Sequence, residues 1–369
     1  MFEKIIYSVI VFGMLVLFHE LGHFSFAKLV GVRVYEFSIG FGPRLFGFRK
    51  GETKYNLRAI PLGGFVRMAG MDPEEDERET AGIREEQQDI AIRDNVQDDS
   101  AEENYTLDSK RSFMHKSVFK RMAIIASGPI MNFVLAILLF ALSFLIFGLP
   151  QNKNIIGDVL KGKPAANVGL QKGDVVTKIN QTPVKTWEDI VNIIHKNPNK
   201  QITMEIRRNQ ETKIYKVSPE TDKDTKQGMI GITYPSKRPG VFEALRLGVL
   251  KTYEMLKLTV YFLGKMMSKQ IPVELSGPVR ITYELGKAAE MGLTTLMNFA
   301  AFLSIQIGLF NLLPIPALDG SRLMFLALEG VRGTPIDPSK ENFIHLVGLA
   351  MLLLLMVVIT YQDIVKMFG

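Results

Sequence analysis

The sequence predicts a polytopic α-helical membrane protein with four transmembrane helices, a small antiparallel sheet and an inserted soluble α+β domain. Four apolar segments are long enough to cross a bilayer core, which takes about 20 residues; they are residues 4–29, 119–149, 294–318 and 343–366. Residues 31–70 alternate between polar and apolar side chains, as strands do. Residues 152–236 have the mixed composition of a soluble domain. The apolar content of 47% in 369 residues fits several spans joined to soluble parts.

Composition and charge exclude several classes of function. The chain contains no cysteine, so cysteine-based zinc fingers, disulfide scaffolds and thiol nucleophiles are excluded. The net charge of +6 is spread along the loops rather than concentrated in one tract. We therefore expect a lipid bilayer as a partner and no nucleic acid. The apolar N-terminal segment is not followed by a small-residue cleavage site, which favours a retained span over a signal peptide.

The first span and its flanking residues make up the predicted domain 1–30. This domain contains the sequence His-Glu-Leu-Gly-His at His19–His23. Positions i and i+4 share one face of an α-helix, so both imidazoles can reach one zinc ion. Glu20 between them is placed to act as general base on the attacking water. The motif alone occurs by chance, but three ionisable side chains in one turn of a membrane-length helix are costly unless they bind something. This segment therefore predicts a catalytic metal site.

The region after the first span predicts a sheet and then an acidic insert. Strands are expected at 32–39 and 53–60, with turns at 40–43 and 50–52 and a last short strand at 63–68. An open edge of this sheet could accept an extended peptide, although an ordinary hairpin fits the pattern equally well. Residues 71–118 form an acidic cytoplasmic insert, of which 71–109 are expected to be mobile, with a short helix near 83–93.

The soluble block at 152–236 predicts strands at 155–160, 175–180, 202–207 and 213–217 around a helix at 187–195. Its run from Ala165 to Asp174 resembles the PDZ domains of bacterial membrane and periplasmic proteases. Such domains bind extended peptides in a groove between a strand and a helix, which makes Gly157 a candidate substrate-binding residue. A module that only restricts access to the membrane part is the alternative. Lysines interrupt the apolar residues of 241–292, which favours amphipathic interfacial helices there.

A catalytic zinc needs a third protein ligand, and Asp319 is the leading candidate. It follows the apolar segment 294–320, where a carboxylate requires a partner. Glu329, His345 and Asp363 also lie in or beside apolar runs and remain competitors.

A parity argument links these ligands to topology. The two histidines lie near the end of the first span, and Asp319 lies at the end of the third, so they can meet only if the two spans are parallel. One crossing, at 119–149, must then separate them, and 241–270 must lie along the membrane surface. The loop after the first span is rich in Arg and Lys, so the positive-inside rule places 31–118 in the cytoplasm. The 152–236 domain then faces outward, and the metal lies near the cytoplasmic face.

The motifs together resemble those of the bacterial site-2 proteases, intramembrane zinc metalloproteases of the RseP and RasP type. The shared segments are His19–His23 and residues 40–43, 60–66, 128–133 and 311–320, with a single PDZ domain between them. The resemblance implies zinc bound by His19, His23 and Asp319, with Glu20 as the catalytic residue. It also implies a membrane-reentrant sheet that pairs with substrate, with candidate contacts at Tyr55, Asn56, Leu57 and Asn311.

The same resemblance implies a metalloendopeptidase of the bacterial cytoplasmic membrane. Its expected substrates are single-span membrane proteins already trimmed by another protease, such as anti-sigma factors and signal-peptide remnants. Two departures from the family stand out, namely the presence of one PDZ domain rather than two and the acidic insert. The alternatives are a non-catalytic PDZ-bearing membrane scaffold and a metal transporter or sensor, neither of which requires Glu20 as a base.

Overall fold

The computed structural model describes residues 2–71, 110–222, 225–272 and 276–368. The chain forms two compact units, one of Met1–Ala141 with Leu245–Gly369 and one of Leu142–Ala244. Residues 72–109 of the predicted acidic insert, including its expected short helix near 83–93, lie outside the described residues.

The first unit begins with helix α1 (Phe2–Leu29), followed by strands β1 (Val34–Lys50) and β2 (Thr53–Met68) and by helix α2 (Val118–Phe147). Both helices consist largely of apolar residues, and α2 continues through Pro129. Helix α1 packs on the sheet through aromatic contacts, since the ring of Phe24 lies 5.2 Å from that of Phe37 and 5.9 Å from that of Tyr55.

The register of β1 and β2 shows four paired segments rather than a simple hairpin. Residues 53–57 pair with 46–50 on one side and 36–39 on the other, and 36–39 pair in turn with 64–67. The order across the sheet is therefore 46–50, 53–58, 34–39, 64–68. Gly40 (φ +90°) and Gly63 (φ +116°) lie where the strands bend, in a conformation that favours glycine. The predicted turn at 40–43 thus lies in the irregular part of β1, where the chain passes from the paired segment 34–39 to the paired segment 46–50.

The second unit is a small sheet with two helices. Its elements in order are β3 (Leu149–Pro150), α3 (Pro164–Asn167), β4 (Val175–Ile179), β5 (Thr182–Pro183), α4 (Trp187–His195), β6 (Ile202–Arg208), β7 (Glu211–Val217), β8 (Glu220–Thr221), β9 (Gly228–Met229) and β10 (Ser236–Lys237). The antiparallel sheet has the order β5-β4-β6-β7. Thr186 and Asp189 form a reciprocal capping box at the start of α4. Isoleucines from β4, α4 and β6 fill the core.

One predicted strand of this unit is absent as a regular element. Residues 155–160 form isolated bridges instead, from Ile155 to Val175 and from Val159 to Ile232. Nearby, the buried Asp174 carboxylate accepts hydrogen bonds from Nε and Nη2 of Arg208, at 2.6 and 2.7 Å. The Asp174 carboxylate raises the pKa of Arg208.

The first unit continues with helices α5 (Val241–Met267), α6 (Pro278–Glu290), α7 (Leu293–Leu312), α8 (Asp319–Arg332) and α9 (Pro338–Phe368). Among the described residues, four helices are long and apolar enough to span a membrane, and these are α1, α2, α7 and α9. Helix α5 is not among them, because glutamate and lysine side chains recur along it. The four spans agree in position with the four predicted apolar segments.

The third span is shorter than the sequence predicts. Helix α7 ends at Leu312, and Leu313 is already extended (ψ 144°) because it precedes Pro314. The predicted span reaches residue 318, and its predicted domain reaches residue 320. In the structure, residues 313–318 form a loop, and Asp319 is the first residue of helix α8. The prolines therefore place the aspartate at the start of a new helix rather than at the end of a span.

Candidate metal centre and catalytic site

The two histidines of α1 lie on one face of the helix, as the i, i+4 spacing predicts. Their Nε2 atoms are 3.2 Å apart. The rings meet edge to face, with centroids separated by 4.9 Å. Both histidine side chains are nearly buried, so an ion held between them would be largely removed from water.

Asp319 completes a three-donor cluster with these rings. Its Oδ2 lies 3.1 Å from Nε2 of His19 and 3.4 Å from Nε2 of His23. The same oxygen is buried and has no hydrogen-bond partner, although two nitrogen atoms are close to it. Among the described residues, His19, His23 and Asp319 are the three side chains of metal-binding type whose donor atoms converge.

The dimensions of the cluster match those expected around zinc. Three donor atoms separated by 3.1, 3.2 and 3.4 Å form a nearly equilateral triangle. Donors at zinc-ligand distances in a tetrahedron lie about 3.3–3.6 Å from one another. Two imidazole nitrogens and one carboxylate oxygen are donors that zinc accepts, and a tetrahedral site would retain a fourth position for a reactant. The residues present therefore fit a catalytic zinc ion.

Helix α2 contacts both histidines from behind. Nδ1 of His23 lies 2.9 Å from the carbonyl oxygen of Ile124, so the ring donates through Nδ1 and leaves Nε2 free for a metal. The side chain of Asn132 lies 3.1 Å from Nδ1 of His19. The sequence motif at 128–133 includes Asn132, but the sequence alone did not assign this contact to it.

A cavity of about 440 Å³ opens on the cluster. Its walls come from α1, the β2 segment, the end of α7 and the start of α8, and they include His19, Glu20, His23, Gly64, Phe65, Val66, Arg67, Met68, Asn311, Asp319 and Arg322. Gly64 lies so close to Glu20, the candidate general base, that an added Cβ would be 2.9 Å from Cγ of Glu20. The carboxylate of Glu20 thus shares one cavity with the donor cluster and the edge of the sheet.

The three competing ligands lie elsewhere in the described structure. Glu329 forms a buried bidentate ion pair with Arg121, including a 3.0 Å bond from Nη1 to Oε2. His345 accepts a 3.2 Å hydrogen bond from the amide of Ala317. Asp363 accepts a 3.0 Å bond from the amide of Arg280. Each of these groups already has another partner, so Asp319 is the carboxylate that joins the histidines.

The sheet register places the three predicted substrate contacts of the sheet in an inner segment. Tyr55, Asn56 and Leu57 lie in an inner segment that is paired on both sides. Nδ2 of Asn56 is also committed, since it donates to Oε1 of Glu36 over 2.7 Å. Within the described residues, the edge that borders the cavity is 64–68, because only its pairing with 36–39 is present. Inner strands have few backbone groups available for a peptide, so a substrate contact at 55–57 would have to come from side chains and stays a prediction.

The remaining two predicted substrate contacts differ in position. Asn311, near the end of α7, lines the cavity beside the donor cluster. Gly157 lies in the second unit, where its amide donates to the carbonyl of Thr233 over 2.8 Å. That amide is therefore not free to pair with a peptide strand.

Comparison with known proteins places this chain in a family. The sequence model of Peptidase family M50 matches residues 7–355. The regulator of sigma-W protease RasP from Bacillus subtilis is 37% identical and covers 99% of both chains. The zinc metalloprotease RasP from Geobacillus kaustophilus is 38% identical over the same share of both chains. A PDZ domain of an SdrC-like protein from Listeria monocytogenes aligns with 23% of this chain and 90% of its own at 20% identity, with a TM-score of 0.21. By family match and full-length relatives, the chain belongs to peptidase family M50, the site-2 family of multi-pass membrane zinc metalloproteases.

Proposed function

We propose that this protease hydrolyses peptide bonds within or near the transmembrane segment of single-span membrane proteins that another protease has already trimmed. Anti-sigma factors and signal-peptide remnants are the expected substrates. The observation that carries the proposal is the convergence of His19, His23 and Asp319 beside Glu20, in a cavity bounded by a span and a sheet edge. A peptide bond in a membrane helix is protected by its internal hydrogen bonds, so the substrate must unwind before cleavage.

Each residue of the cluster has a distinct role in this proposal. His19, His23 and Asp319 would hold the zinc ion, with Nε2, Nε2 and Oδ2 as the converging donor atoms. The bound ion would supply Lewis-acid polarisation of the scissile carbonyl. Glu20 takes a proton from the attacking water and then donates it to the departing amine, so its carboxylate returns to the starting state. The two proton transfers balance within one turnover.

The sheet edge at 64–68 is the proposed binding site for the unwound substrate. An extended peptide can pair along this edge as an added strand, close to Glu20 because Gly64 has no side chain between them. Asn311 faces the same cavity, and its carboxamide can both donate to and accept from a peptide backbone. Substrate binding along this edge would hold the scissile bond against the donor cluster.

The topology is proposed from charge. Arginines and lysines recur between α1 and α2, which assigns that region to the cytoplasm and the cavity to the cytoplasmic side of the membrane. The unit at 142–244 would then face the outside as a PDZ domain that binds peptide or restricts access. Because four is an even number of spans, both termini would lie on the same side of the membrane.

Replacement of the base tests the function. The full-length Glu20→Gln protein, reconstituted with a trimmed single-span substrate, should retain stoichiometric zinc and lose at least about a hundredfold in cleavage rate. Glu3→Gln, at the other end of the same helix, is the matched control and should cleave at the wild-type rate. Retained cleavage by Glu20→Gln would contradict the mechanism. A zinc-free wild-type protein that still binds the substrate would favour a scaffold instead.

A further inference from the structure

Asn132 occupies a fixed position in the interior of the first unit. Its residue surface is 0% exposed. Its carbonyl oxygen accepts a 2.7 Å hydrogen bond from Oγ of Ser304, which ties α2 to α7 at this level. Gly308 leaves room beside it, because an added Cβ there would lie 3.2 Å from Cβ of Asn132. Since Asn132 is buried and does not line the catalytic cavity, it has no direct access to substrate.

The carboxamide of Asn132 faces one of the zinc-binding candidates. Nδ2 lies 3.1 Å from Nδ1 of His19, while Oδ1 is buried without a hydrogen-bond partner. An imidazole that binds a metal through Nε2 carries its proton on Nδ1 and donates from there. The amide nitrogen cannot accept that proton. A half-turn of the carboxamide exchanges two atoms of nearly equal size, brings Oδ1 to Nδ1 and gives the buried oxygen its partner.

We propose that Asn132 is a positioning residue for the metal centre, whose Oδ1 accepts the Nδ1–H of His19 and directs Nε2 toward the zinc ion. The inference rests on the proposed role of His19 as a ligand. This hydrogen bond fixes both the tautomer and the plane of the His19 ring. The carbonyl of Ile124 does the same for His23, so a single helix, α2, orients both imidazoles. Helix α2 then contributes to zinc affinity although it supplies none of the three candidate ligands.

The test compares a substitution that can still accept a hydrogen bond with one that cannot. Asn132→Asp has the same shape, retains an acceptor oxygen and lacks the amide donor. Asn132→Leu has the same branching at Cγ and no polar atom. Asn298→Leu is the matched control, because Oδ1 of Asn298 is also buried without a partner, about 20 Å along α7 from Asn311. The full-length proteins are purified in detergent, and zinc affinity is measured by competition with a chromophoric chelator.

Wild type should bind one zinc ion, and Asn132→Leu should bind it about 10–100-fold more weakly, which is the usual effect of losing a ligand's hydrogen-bond partner. Asn132→Asp should remain within about threefold of wild type, and so should Asn298→Leu. The visible spectrum of the cobalt-substituted proteins should change for Asn132→Leu and stay tetrahedral for Asn132→Asp. Equal melting temperatures of the metal-free proteins would show that the loss does not arise from misfolding.

The outcomes separate this inference from the function on which it rests. Unchanged zinc affinity of Asn132→Leu, with zinc lost from His19→Ala, would overturn the role of Asn132 and leave the protease mechanism intact. Weak binding by both Asn132 variants would show that the amide donates instead of accepting, which also overturns the inference. A wild-type protein without stoichiometric zinc would overturn both proposals.

Discussion

The backbone amide of Ala317 donates a hydrogen bond to Nδ1 of His345 over 3.2 Å. Ala317 has a φ of +74°, a left-handed conformation that a residue with a Cβ adopts only when its surroundings hold it there. Pro316 is packed against Gly348, where an added Cβ would lie 2.7 Å from the carbonyl carbon of Pro316. Helix α9 thus holds the strained loop that ends just before Asp319. It thereby fixes the position of Asp319, the first residue of helix α8.

Replacement of His345 should therefore affect the metal centre from a distance. His345→Leu removes the acceptor for the amide of Ala317, at a cost of about 1 kcal/mol, which corresponds to about a fivefold loss of zinc affinity. His345→Asn places Oδ1 close to the former position of Nδ1 and should restore most of that affinity. Chelator competition on the full-length proteins measures both. If both variants lost the same affinity, the hydrogen bond would not be the cause.

The sequence was sufficient to predict the parts of this site that depend on local periodicity. The i, i+4 spacing of His19 and His23 determines a shared helix face, and the four apolar segments correspond to the four candidate spans. Asp319 could be favoured over its competitors through its place at the end of an apolar segment and through the parity of the spans. The structure gives the reason for that preference, since Arg121, Ala317 and Arg280 are the partners of Glu329, His345 and Asp363.

The sheet register could not be predicted, because it depends on contacts between residues far apart in the sequence. The alternation of 31–70 indicates strands, but a bend at Gly63 returns the chain and makes 64–68 the edge that borders Glu20. The end of α7 was recognisable in principle, since Pro314 and Pro316 are incompatible with a helix that continues through them. The contact between Asn132 and His19 joins residues 113 positions apart.

Helices α1 and α2 approach closely at Gly22, inside the His19–His23 motif. An added Cβ would overlap the carbonyl oxygen of Ser127 and lie 2.9 Å from Cα of Gly128. Gly22→Ala should therefore push the helices apart, displace the histidines and lower both zinc affinity and the melting temperature. Gly13→Ala on the same helix has no atom within 4 Å of the new Cβ. It should be neutral or stabilising by up to about 1 kcal/mol, because alanine favours helices.

That pair of variants is measured by thermal unfolding and by zinc content in the same detergent. Close packing of small residues is the usual means of joining membrane helices, so a local effect at Gly22 is expected. Equal behaviour of Gly22→Ala and Gly13→Ala would show that the contact at Ser127 is not required.

Arg121 and Glu329 form the buried ion pair that fastens helix α8, which begins with Asp319, to α2. Their residue surfaces are 5% and 9% exposed. Removal of one partner leaves an uncompensated buried charge, so Arg121→Leu or Glu329→Leu should destabilise the protein by about 3–5 kcal/mol. The double variant should recover much of that loss, because both charges are then absent. Thermal unfolding of wild type, the two single variants and the double variant gives the coupling free energy between Arg121 and Glu329. Additive losses of stability in the double variant would contradict the ion pair's role.

The last prediction separates substrate positioning from metal binding. Gly64 lies on the sheet edge, and an added Cβ would be 2.8 Å from the carbonyl oxygen of Ser38 and 3.1 Å from Cγ1 of Val16. Gly64→Ala should shift the edge away from Glu20 and lower cleavage at least about tenfold, since misplacement by about 1 Å can cost a hundredfold.

Its zinc affinity should stay at the wild-type value, because Gly64 touches none of the three candidate ligands. Gly51→Asn, at the tip of the same sheet, is the control. Gly51 has a φ of +62° and no atom within 4 Å of an added Cβ, and asparagine tolerates that conformation. Cleavage rates and zinc content are measured side by side on the full-length proteins in liposomes. A Gly64→Ala protein that lost zinc together with activity would mean that the edge supports the metal centre, and undiminished cleavage would mean that the substrate does not bind along 64–68.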